Sequence, residues 1–281
     1  MIDILLRLAK DDLKASRLLF KRKIYPPSIF HLQQAVEKAV KALGMSSAQA
    51  DLAELKQKVG HNPVKIFIKS LTELSDATAF FAKLPAINPA ALHTDFYKTL
   101  SPSISVQNEE TKKSVAFLSN LKNLGIENID TDSLDDIIHE IKSFELHRGE
   151  KVQVGNQDLS EYHRQMTSLI GFLEKFSKEK ADEFRQALEK LEASGDLKRI
   201  MKALIEIYPI VIYITFALYY LSIVLFPHPV DTRYPDQERD FNPYQRYTRN
   251  YPMIVRMSEI QSIVGKVLFQ FRKLTQKPKK K

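Results

Sequence analysis

The chain has 281 residues, 44% of them hydrophobic and 27% charged, the mixture of an ordinary globular protein rather than a disordered one. It contains no cysteine, which excludes disulfides, thiolate metal sites and cysteine nucleophiles. The net charge of +8 is unevenly placed: from Phe241 to the end ten Lys or Arg stand against one acidic residue, Glu259, a net +9 that leaves −1 for the first 240 residues.

The opening residues, MIDILLRLAKDD, carry an aspartate at position 3 and no unbroken apolar run, so no signal peptide is expected and a cytoplasmic location is. Ile2, Leu5, Ala9, Leu13, Ser16 and Leu19 recur at spacings of three and four, predicting an amphipathic helix to about Lys21. Pro27 and Ser28 then open a second helix with Ile29, Leu32, Val36, Val40 and Leu43 on one side and Gly44 as its C-cap. The two form a helical hairpin. Asn62 is placed to cap a third helix, with Pro63 at its first position and the amphipathic stretch Val64 to Leu84 beyond. Pro85, Pro89 and Pro102 are expected to break the chain, and Asp132-Ser133 to start a helix carrying Leu134, Ile137, Ile138 and Ile141. A long charged helix is expected from Asp158 to Ala193, ended by Gly195, and a final helix from about Pro252 to Leu274.

The most apolar stretch, Ile207 to Phe226, is twenty residues without a charge, as long as a bilayer-spanning helix. Tyr208, Tyr213, Thr215, Tyr219 and Tyr220 spread hydroxyls along it, which favours a core helix covered on nearly every side; a membrane span remains the alternative.

The second helix reads HLQQAVEKAVKALG from His31 to Gly44. Its Gln34, Ala35, Glu37, Lys38, Lys41 and Ala42 resemble the glutamine–alanine–glutamate–lysine helix of the HEPN domain. Gly60-His61-Asn62 is similar to that family's glycine–histidine–aspartate step, with asparagine in place of aspartate. Thr232 to Asp236 resembles its arginine–tyrosine–proline loop, and the last helix its closing helix. The resemblance covers about residues 1–67 and 210–275. It implies an all-α, HEPN-like antiparallel bundle made by 1–66 and 200–275, split by a helical insertion at 67–199 and followed by a disordered basic tail at 276–281. It further implies an association with nucleotides or RNA, a nucleotidyltransferase partner in a toxin–antitoxin-type system, and a homodimer.

Many HEPN proteins are metal-independent ribonucleases using an arginine, four to six residues and a histidine. No such spacing exists here: Arg22 to His31 and Arg148 to His163 are both too long. No catalytic residue is therefore carried over, and a ribonuclease would need a displaced site. The seven histidines show no zinc spacing, there is no GxxxxGK[ST], GxGxxG or GxSxG, and neither metal nor cofactor is expected.

A binding pattern remains. Arg233, Arg239, Arg246, Arg249 and Arg256 alternate with Tyr234, Tyr244, Tyr247 and Tyr251. Arginine grips phosphates in a fork and tyrosine offers a ring to a base. The same residues would also serve if the tyrosines merely anchored the loop while the arginines paired with Asp236, Glu238 and Asp240. The candidate nucleotide- or RNA-binding residues are Glu37, Lys38, Lys41, Arg233, Tyr234, Arg246, Tyr247 and Arg249.

Overall fold

The computed structural model describes residues 1–47, 50–146, 155–236 and 240–276. Among these the chain is all-α, with one isolated antiparallel bridge between Asp236 and Phe241 and no strand. The long helices are α1 (Ile2–Lys21), α2 (Tyr25–Ser46), α3 (Val64–Ile87), α4 (Asp95–Ser119), α5 (Thr131–Leu146), α6 (Asn156–Leu173), α7 (Lys178–Ala193), α8 (Asp196–Leu225) and α9 (Met257–Thr275). The basic tail from Lys277, together with His147, Glu238 and Arg239, lies outside the described residues.

The chain divides into two compact units, one of residues 1–70, 117–149 and 209–281, the other of 71–116 and 150–208. The first joins both chain ends. Leu6, Ala9 and Leu13 bury one stripe of α1, and α9 lies along it while also meeting α2. A fully buried leucine such as Leu6 or Leu13 contributes roughly 1.5–3 kcal/mol, so the stripes fix how the helices face one another. A buried polar tie sets their register. Ser16 Oγ donates to Ser28 O at 2.8 Å and Ser28 Oγ to Ser16 O at 2.8 Å, while Gln261 Nε2 donates to Ser16 Oγ at 2.9 Å. Arg17 Nη2 donates to Gln261 O at 2.9 Å. Gly265 sits beneath Arg17, where a Cβ would come within 2.8 Å of the guanidinium.

Several local expectations are corrected. Gly44 does not end α2, which runs on to Ser46; a Cβ at position 44 would stand 3.1 Å from Ile66 Cδ1, so this glycine lets α3 approach. Pro85 and Pro102 lie inside α3 and α4, and the interruption falls at the 3₁₀ turn Pro89–His93, with Asn88 accepting from Ala90 N. The charged segment from 158 to 193 is two helices. Ser177 caps the second, its side chain accepting from Lys180 N at 3.3 Å. The last helix likewise parts at Arg256 into a turn, Pro252–Val255, and α9. Asn62 caps α3 as its sequence suggests, with Oδ1 accepting from Val64 N at 3.1 Å.

The first unit also holds 117–149, a stretch that the sequence pattern places within the insertion. Leu134, Ile138 and Ile141 are buried at helical spacing on α5, which packs against the turn Pro252–Val255. Asp135 pairs with Arg256, Lys142 with Glu259, and Glu145 with Lys266.

The apolar helix α8 is not covered on every side. Over its most apolar window 44% is buried. Residues 221–225 are enclosed all round, as a bundle core requires, whereas Val211 and Phe216 are exposed although Phe216 stacks on Phe144. Length and composition alone would let α8 cross a membrane. In the second unit, Phe81, Phe96, Tyr97 and Phe172 form an aromatic cluster around Leu84 and Ala91.

Candidate functional site

The candidate residues fall into two groups within the first unit. The first group sits on α2. The Glu37 carboxylate is buried, 3% exposed, yet fully engaged: Lys41 Nζ lies at 2.7 Å, Gln33 Nε2 at 3.2 Å, Gln34 Nε2 at 3.1 Å and His61 Nδ1 at 3.3 Å. A buried carboxylate with that many partners avoids the penalty of an unpaired charge and pins the Gly60–Asn62 turn to α2. Gly60 makes that turn with φ of 57°, in the left-handed region that suits glycine. Lys38 Nζ donates to Asp12 Oδ2 at 2.6 Å, and Asp12 Oδ1 meets His31 Nδ1 at 3.1 Å. Glu37, Lys38 and Lys41 are thus occupied in joining helices and turns.

The second group is the segment after α8. The turn His228–Asp231 packs on α2, and Arg233 lies over the rings of Phe30 and Tyr234, 5.1 Å from each centroid. Arg233 Nε donates to Pro229 O at 2.8 Å, and the residue is exposed. Tyr234 is 58% exposed.

Farther along, His228 is buried completely and shares a hydrogen bond of 2.9 Å between Nδ1 and the Tyr247 hydroxyl; Tyr251 packs edge-on against both rings. Burial, and secondarily the charge of Arg246, push the imidazole down to about 3, so it is neutral at ordinary pH. Tyr247 therefore serves as an anchor rather than as an exposed stacking ring. The anchor places Arg246 over Phe241 and Tyr251, with centroid distances of 5.6 and 5.8 Å, while its Nη2 donates to Asn128 Oδ1 at 3.2 Å. Around Arg246 opens a cavity of about 450 Å³, lined among the described residues by Asn128, Asp240, Phe241, Asn242, Gln245, Arg246 and Tyr251. Arg249 is exposed at the end of the same turn.

The structure thus gathers Arg246 and Tyr251, gives Tyr247 a supporting place, and sets Arg233 with Tyr234 apart on Phe30. Sequence reasoning missed Asn128, which comes from 118 positions away, and His228, whose role depends on burial. Phe241 and Asp240 could have been found from their place inside the arginine–tyrosine run. Among the described residues no group of histidines and carboxylates could hold a metal.

The family model of the HEPN domain matches residues 2–76. That span takes in α1, α2, the Gly60–Asn62 turn and the start of α3, and hence the Glu37 network, whereas the arginine-bearing segment lies beyond it. No curated protein and no solved structure matches the chain.

Proposed function

We propose that the protein, whose residues 2–76 match the HEPN domain model, binds a nucleotide or RNA and that the contact is made at the Arg246 cavity. The observation that carries this reading is the cavity itself: a guanidinium held over two aromatic rings, with a second exposed arginine close in sequence. A planar guanidinium suits phosphate oxygens, and an aromatic ring supports a base. The Glu37, Lys38 and Lys41 network supports this indirectly, by fixing the α2 surface on which the turns His228–Asp231 and Pro243–Arg246 rest. Arg233 and Tyr234 form a separate basic, aromatic patch on Phe30. A nucleotidyltransferase partner and a homodimer belong to this reading as extensions of the HEPN likeness.

The test is binding of a short single-stranded RNA at low salt, followed by fluorescence anisotropy. The Arg246→Ala, Arg249→Ala double variant is expected to weaken binding tenfold or more, and equally across sequences, because phosphate contacts position a ligand without reading bases. Unchanged binding with an unchanged circular dichroism spectrum would remove the cavity from the interface.

A further inference from the structure

The turn between α1 and α2 carries charges that the helical hairpin itself does not use. From Leu13 to Val36 the sequence has five Lys or Arg and no acidic residue. Lys14 pairs with Asp11, and Arg17 donates to Gln261 O. The other three, Lys21, Arg22 and Lys23, are consecutive and exposed, and among the described residues their side chains have no ion-pair or hydrogen-bond partner. The backbone supplies a second observation. Helix α1 ends in a Schellman motif, with Ile24 N donating to Leu19 O and Lys23 N to Phe20 O, both at 2.9 Å. That motif puts residue 23 in the left-handed region, with φ of 60°, where glycine costs least. A lysine there strains the backbone while its side chain makes no bond within the chain, so the fold alone gives no reason for it. Cations near a helix C-terminus complement its dipole, but Lys21 and Arg22 already fill that role. Phe20 and Tyr25 bracket the three cations in sequence, both half-buried, with ring centroids 5.9 Å apart.

We propose that the α1–α2 turn is a second phosphate contact for single-stranded RNA, with Lys21, Arg22 and Lys23 meeting backbone phosphates and the Phe20–Tyr25 pair offering a ring to a base. Sites for small molecules are concave and enclose most of the ligand. A strand whose charge repeats along its length is held instead by exposed cations with aromatic rings among them. An exposed helix–helix turn therefore suits RNA rather than a free nucleotide. The ring pair also favours RNA over an anionic lipid surface, because bases stack on rings and lipid headgroups do not. Lys23 carries the argument: at a position that favours glycine, its positive charge is the property that a bound phosphate would use. This inference rests on the reading that the protein binds RNA, but not on the part that the Arg246 cavity plays in it.

The experiment uses the full chain and follows the anisotropy of a labelled short single-stranded RNA across a salt series, alongside thermal melting. Lys23→Gly is the decisive variant, because glycine removes the cation and suits the left-handed position. It is expected to melt no lower than the unaltered chain, yet to bind RNA about fivefold more weakly at low salt, with the slope of log K against log salt shallower by about 0.7. Adding Lys21→Gln and Arg22→Gln should bring the total change in slope to about 2. Unchanged affinity and slope in Lys23→Gly would overturn the contact. So would weaker binding that merely follows a lower melting temperature, which would make Lys23 a structural residue. Binding of phosphatidylglycerol vesicles in preference to RNA, lost on the same substitutions, would overturn RNA as the partner. Should the Arg246→Ala, Arg249→Ala variant bind normally while Lys23→Gly does not, this contact stands and the cavity falls. No binding of RNA by the unaltered chain would overturn both.

Discussion

His228 shows how one residue can govern a surface it never reaches. Its imidazole is enclosed with Tyr247 and Tyr251, and those rings hold Arg246 in place. Its folded pKa is depressed from 6.5 to about 3, so the unfolded chain binds a proton there that the folded one does not. The neutral imidazole contributes its full stability above about pH 6.5 and loses it as pH falls towards about 3. Unfolding measured in urea from pH 7 to 4 is expected to lose up to about 1.4 kcal/mol per pH unit through this group. His228→Phe should flatten that part of the profile, whatever its offset at neutral pH. A profile of unchanged slope would mean that His228 is solvated in solution. Nothing in the sequence marks this histidine, since its chemistry comes from enclosure rather than from neighbours along the chain. Glu37 is similar: its glutamate–lysine pattern was legible, but its four partners were not.

At the scale of elements, the amphipathic stripes of α1, α2, α5 and α9 were legible because burial recurs at helical spacing. Their boundaries were less so. Gly44 looked like a cap, but its missing Cβ serves the approach of Ile66, a tertiary requirement that local sequence does not announce. The prolines misled as well: Pro85 and Pro102 remain helical, and the chain breaks where Asn88 and Ser177 supply caps. Helix α5 shows which forces hold an element whose place was not expected. Its ion pairs to the C-terminal segment lie at the surface, where such pairs contribute roughly 0–1 kcal/mol. The Arg256 guanidinium holds the Asp135 carboxyl below its ordinary range, a local effect on an exposed group. By contrast, Ile141 is 1% exposed. Ile141→Ala is expected to cost about 2–5 kcal/mol in chemical denaturation, and Lys142→Ala less than about 1. Equal costs would show that charge rather than packing docks α5.

At the scale of the whole molecule, the helical periodicity pointed to an all-α chain, as the described residues are, and the compact unit that holds both ends consists of residues 1–70, 117–149 and 209–281. That the same unit also takes 117–149 was hidden, because Asn128 and Asp135 meet their partners across more than a hundred positions. The apolar run in α8 was legible as a length but not as a surface, since its C-terminal turns are enclosed while Val211 and Phe216 face outward. The most consequential whole-chain feature is electrical: a net +9 from Phe241 onward against −1 before it. If the Arg246 cavity is the binding site, Arg246 and Arg249 grip phosphate, whereas the lysines from 277 onward attract polyanions without forming a site. The most direct test is the salt dependence of binding to a short single-stranded RNA, for the unaltered protein, the Arg246→Ala, Arg249→Ala variant and a chain ending at Gln276. Removing one phosphate-gripping arginine should lower the slope of log K against log salt by about 0.7, so the double variant is expected to be shallower by about 1.4. It should also bind more weakly than the truncated chain. A double variant with the slope and affinity of the unaltered protein, together with loss of binding on truncation alone, would contradict phosphate recognition by this arginine pair.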